Sequence, residues 1–344
     1  MDTGETVHPA AAYRVAEAVW LGEVRFTVDR AGFDQFLAFL GRLPCRPEEV
    51  AIGLEATGHY HRTLVEQLTA AGYAVVLLDP YRAAQFRRSE GRKAKTDRID
   101  ARALARFVAV QAPQTLARLH PTEQLVQLRE LTRFRSELVE TRSTALRRLR
   151  GVLDLAFPEL LGIIKCLGGS KLLALLAAYP TAAAVAAADR EQLLVLLRGT
   201  KHAQRGGRGV DALIAAARAS VALRHGEATL ALKVRLLVRQ VLALDEQITE
   251  LEAAIAREFA GLGYAARDFP VGTPIALATL VAEAGNVHRF ASSKQFLAHF
   301  GWCPADTQSG QSRHGHPRLS KAGNRFARRV LWMLALFSVG HPRP

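Results

Sequence analysis

Along residues 1–110 the apolar positions switch between a strand-like and a helix-like period, and each switch marks an element boundary. EVRFTV at 23–28 alternates as a half-buried strand does, AGFDQFLAFLGRL at 31–43 has helical apolar spacing, and EVAIGLEAT at 49–57 is a β-rich apolar run. YHRTLVEQLTAAG at 60–72 predicts a helix closed by Gly72, and YAVVLLDP at 73–80 predicts a buried strand stopped by Pro80. Strands and helices in this order predict an α/β domain with a central sheet.

From residue 122 onward the strand pattern stops. Residues 122–153 predict one long helix with an arginine-bearing polar face. Leu230, Val234, Leu237, Val241, Leu244, Ile248, Leu251 and Ile255 step alternately by four and three residues, which is a heptad seam. Such a helix pairs with another, either the one at 122–153 or that of a second copy. After Phe269 the pattern reads turn and apolar helix, then helix, polar loop and helix to the end.

Composition narrows the partners. The chain of 344 residues carries a net charge of +14, a surplus that favours polyanions. The charge is patchy: residues 81–106 hold nine Lys or Arg against three acids, and residues 307–344 hold seven with no acid. The loop GTKHAQRGGRG at 199–209 is cationic, and reads equally as a solvated connector. Cys45, Cys166 and Cys303 form no CxxC pair, which fits a reducing cytoplasm. The apolar run at 172–188 is broken by Pro180 and predicts buried helices rather than a membrane span.

Carboxylates sit in unexpected places. Glu55 ends an apolar strand, where it either binds the following turn or serves a site. Asp97 and Asp100 fall in the first turn of a predicted helix capped by Thr96, so their spacing puts both on one face. Converging carboxylates make a hard-oxygen site suited to Mg²⁺ and phosphodiester chemistry; the plainer alternative is acids that balance nearby arginines. His59 and His61 are weak zinc candidates and read as loop residues, while Trp302 and Trp332 read as core anchors.

GLEATGHYH (53–61), VVLLDPYRAAQFRRSEGRKAKTDRIDARALARF (75–107) and FGWCPADTQSGQSRHGHPRLSKAGNRFARRVLW (300–332) together resemble the signature blocks of the DEDD insertion-sequence transposases, the Piv-related family. The resemblance implies an RNase H-like, RuvC-like catalytic domain at 1–118, a mainly helical coiled-coil region at 119–262 and a helical C-terminal transposase domain at 263–344. It further implies an acidic tetrad for Mg²⁺ matching Asp2, Glu55, Asp97 and Asp100, with Ser309 as nucleophile. DNA as donor and target, an element-encoded guide RNA and a homo-oligomer, dimer or tetramer, are the implied partners. Arg92, Lys93, Lys95, Arg98, Arg313, Arg318, Lys321, Arg325 and Arg328 are the residues placed to meet phosphates. The family's first aspartate lies within a strand, whereas Asp2 follows Met1, and relatives continue beyond Pro344. A shortened copy that only binds nucleic acid, and a RuvC-like junction endonuclease that needs no Ser309, are the alternatives.

Overall fold

A computed structural model describes residues 7–55, 61–91, 96–115, 123–198, 208–264, 272–285, 287–305, 308–309, 312–313, 318–320 and 323–340. Of residues 308, 309, 312 and 313 it describes the backbone alone. Asp2, His59, Arg92, Lys93, Lys95, Lys321 and most of the 199–209 loop lie outside the described residues. The chain divides into two compact units, Met1–His120 and Pro121–Pro344.

In the first unit, β1 (Val7–Arg14) and β2 (Val19–Thr27) form an antiparallel hairpin, followed by α1 (Arg30–Gly41). Asp29 caps α1 by accepting from the Gly32 amide at 2.8 Å. Then come β3 (Ala51–Glu55), α2 (His61–Ala70), β4 (Ala74–Leu78), α3 (Pro80–Ser89) and α4 (Asp97–Thr115). β3 and β4 pair in parallel, as strands joined through a helix do.

The expected central sheet is instead two separate two-stranded sheets among the described residues. One core nonetheless serves both: Phe26, Phe33, Phe36 and Phe39 from the hairpin and α1 pack with Ile52 and Leu54 of β3 and with Leu64 and Leu68 of α2. Strand β1 escaped the sequence reading because VHPAAAYR does not alternate clearly between apolar and polar positions. A second core, under α3 and α4, joins Val76, Leu78, Leu104, Phe107 and Val108.

The second unit is built on two long helices, α5 (Glu123–Ala156) and α11 (Glu227–Gly261). Between them run the short helices α6 (Leu160–Ile163), α7 (Ser170–Ala178), α8 (Ala182–Ala186), α9 (Arg190–Leu196) and α10 (Arg208–Arg218). Their buried leucines and alanines form the main core with both long helices. Arg135 pairs with Glu252 at 2.6 Å and Arg142 pairs with Asp245, so the two long helices run antiparallel. The heptad seam is thus used inside the chain, with Val238 more buried than Leu237.

Next come α12 (Pro274–Ala284) and α13 (Ser293–His299). The two-residue strands β5 (Pro304–Ala305), β6 (Gln308–Ser309), β7 (Ser312–Arg313) and β8 (Arg318–Leu319) follow, then α14 (Arg325–Gly340). These strands correct the expectation of none after residue 122. The two predicted tryptophan anchors also part company: Trp302 packs beside the buried Phe300, whereas Trp332 is 51% exposed on α14. No helix among the described residues is long and apolar enough to cross a membrane.

Candidate active site

Strand β3 enters the core and ends on a carboxylate. Glu55 is 5% exposed, and Arg87 in the last turn of α3 meets it as a fork, Nη1 donating to Oε2 at 2.8 Å and Nη2 to Oε1 at 3.3 Å. Two parallel charge-assisted bonds make this the strong form of such a pair.

Two residues earlier, Gly53 lets α4 lie close on the strand. A Cβ there would fall 2.1 Å from Val108 Cγ2. Helix α4 packs against β1 and β3, and its first turn carries Asp97 and Asp100. Thr96 caps it as the sequence predicts, its hydroxyl accepting from the Ile99 amide at 3.3 Å.

The two aspartates have different surroundings. Asp97 is largely exposed and accepts from Arg25 of β2 at 3.1 Å. Asp100 is only 8% exposed, and no hydrogen bond or ion pair reaches its carboxylate among the described residues. The lone pairs of such a carboxylate are available to a cation.

A cleft of about 440 Å³ opens beside Asp97, lined by Pro9, Glu23, Arg25, Thr96 and Arg98 among others. Arg98, expected to meet phosphates, pairs with Glu23 at 2.6 Å. Arg102 also reaches Glu23 and stacks over Trp20 at 4.9 Å.

Among the described residues, no three of His, Cys, Asp and Glu gather closely enough to hold a metal ion. Glu55 is engaged by Arg87, Asp97 by Arg25, and Asp2 lies outside the described residues. The donor chemistry still fits a hard divalent cation, since all the groups are carboxylate oxygens. Of the first unit's two buried acids, Glu55 holds a guanidinium as its positive partner, and Asp100 has none among the described residues.

In the second unit, the backbone of Ser309 pairs with Ser312, and Gln308 with Arg313, in the β6–β7 hairpin. Arg318 is exposed on β8, and Arg325 is exposed at the start of α14. Arg328 is half-buried, its Nη1 donating to the Phe300 carbonyl at 3.3 Å.

Behind this helix lies a buried acid that the sequence does not mark. Glu283 at the end of α12 is 7% exposed and accepts from Arg133 Nε at 2.7 Å and Nη2 at 2.9 Å. This hydrogen bonding raises the Arg133 guanidinium above its ordinary pKa. Asn324 donates to the same carboxylate while its own oxygen accepts from the Phe326 amide at 2.8 Å, which caps α14.

Residues 1–158 match the family model for DEDD transposases of the IS110 type, and residues 267–344 match that described as "Transposase IS116/IS110/IS902 family". The chain belongs to the IS110 family of insertion-sequence transposases. A curated relative, the insertion element IS116 uncharacterized 44.8 kDa protein of Streptomyces clavuligerus, is 27% identical over 300 residues, covering 86% of this chain and 74% of the relative.

Within this transposase, Glu55, Asp97 and Asp100 belong to the first unit and Ser309 to the second. Sequence reasoning missed Arg87, Arg25 and Glu283. The signal for Arg87 was indirect: a carboxylate at the end of a buried strand needs a partner, and α3 is rich in arginine.

Proposed function

We propose that the chain is a DNA recombinase that cuts and rejoins strands at the ends of its own mobile element. Functionally we assign catalysis to 1–118, a helical spacer to 119–262 and the serine-bearing transposase domain to 263–344. The reading rests on one observation: two buried carboxylates, Glu55 and Asp100, stand at a strand end and a helix start in a chain of the transposase family. The antiparallel β1–β2 hairpin, the parallel β3–β4 pair and α4 against both support a RuvC-like, RNase H-type organisation.

Asp2, Glu55, Asp97 and Asp100 are the residues that would hold Mg²⁺, which when bound supplies Lewis-acid stabilisation of phosphate charge. Arg318, Arg325 and Arg328 would take backbone phosphates together with Arg313 and Lys321, and Arg92, Lys93, Lys95 and Arg98 would do so near the acids. The Ser309 hydroxyl attacks phosphorus: a P–Oγ bond forms, a phosphodiester P–O bond breaks, and the leaving deoxyribose oxygen takes up a proton. Attack by the hydroxyl of the other strand reverses the step and joins the new partners. Bond number is conserved, so no nucleotide cofactor is needed.

Two DNA sites must be cut together, which calls for at least two copies of Ser309 and hence a homo-oligomer. An element-encoded RNA that selects the sequence would leave the protein mostly backbone contacts, in keeping with its net charge of +14.

The test is excision of the chain's own element in cells, read as the joined junction of the excised circle. Wild type yields the junction; Ser309→Ala and Asp100→Asn yield none. Cutting that persists in Ser309→Ala would establish the junction endonuclease instead, and nucleic-acid binding without cutting in wild type would establish an inactive copy.

A further inference from the structure

The Arg87–Glu55 pair has a consequence for how the acidic site is loaded. Both Glu55 oxygens face the Arg87 fork at 2.8 and 3.3 Å, and the two side chains are only 23% and 7% exposed. A divalent cation on the same carboxylate would sit within a few ångströms of the guanidinium, where burial leaves little water to screen two positive charges. The two cannot occupy Glu55 together at full strength. Asp100, on a helix packed against both α3 and β3, has no such neutralising partner among the described residues and so favours the incoming ion.

We propose that Arg87 is a latch on the metal site: its guanidinium holds Glu55 while the cation is away, and passes to a nucleic-acid phosphate when the cation takes Glu55. This rests on the metal-binding reading above. Arg87 is then a positioning residue, and the exchange makes metal loading depend on bound polyanion. A planar fork suits both partners, since carboxylate and phosphate oxygens accept the same two parallel bonds.

The test uses the full chain, Mn²⁺ as the probe, and the resonance of free Mn²⁺ to follow binding without DNA. Arg87→Gln removes the competing charge and is expected to bind Mn²⁺ about ten-fold tighter than wild type or better. Arg87→Lys keeps a charge that neutralises Glu55 but loses the fork, and is expected to bind several-fold tighter. It decides the matter if Arg87→Gln fails to fold. Affinity in the folded variants equal to or weaker than that of wild type overturns the latch. If wild type and both variants bind no Mn²⁺ even with duplex DNA present, the metal-site reading fails, and the latch with it.

Discussion

Glu55 and Asp100 are both buried acids, yet Glu55 meets the Arg87 fork while no ion pair reaches Asp100 among the described residues. Asp100 lies at the start of α4, where the helix dipole favours its charge by up to about 2 kcal/mol. Its burial without a protein partner among the described residues works in the other direction. With the two effects opposed, Asp100→Asn should change the stability of the metal-free chain to urea by no more than about 1 kcal/mol, while abolishing the stabilisation that added Mg²⁺ gives wild type. A larger loss of stability in metal-free buffer would show that Asp100 has a cationic partner already. Both acids were legible in the sequence because each sits at a local boundary, the end of an apolar run or the residues after a capping threonine. Arg87 was not, because its meeting with Glu55 spans 32 residues and depends on where α3 is laid.

At the scale of elements, the arginines of α5 divide: Arg129, Arg133, Arg135 and Arg142 are half-buried against other helices, whereas Arg147, Arg148 and Arg150 are exposed. Arg133 pairs with Glu283 of α12, and Arg135 and Arg142 pair across to α11. The sequence predicted both long helices and offered their pairing as one outcome, since a heptad seam marks a partner without saying which. It could not show that Glu283 would tie three helices together. Through Arg133 it anchors α5, and through Asn324 it holds the cap of α14, the helix that begins with Arg325. Glu283→Ala leaves the half-buried Arg133 and the Asn324 amide without their acceptor and should cost about 1–3 kcal/mol in urea unfolding of the full chain. Glu283→Gln keeps part of the hydrogen bonding and should cost less. A loss below about 1 kcal/mol for the alanine variant would mean that the network contributes little.

For the whole molecule, the pattern of apolar positions gave the order of most elements, whereas their assembly was less legible. Period and turn residues are local signals, but the division of the first unit's four strands into two small sheets depends on contacts between segments far apart in sequence. Charge reads in the same way. The excess of +14 pointed to a polyanion, while several of the arginines behind it are held by acids of the same chain. The account as a whole depends on divalent cations bound by the first unit. The most direct measurement is a crystal structure of the full chain grown with Mn²⁺ and a DNA duplex, with the metal located by its anomalous scattering. The account predicts Mn²⁺ bonded to Glu55 and Asp100, with Arg87 on a phosphate; Mn²⁺ absent from these acids, with Arg87 still forked on Glu55, would contradict it.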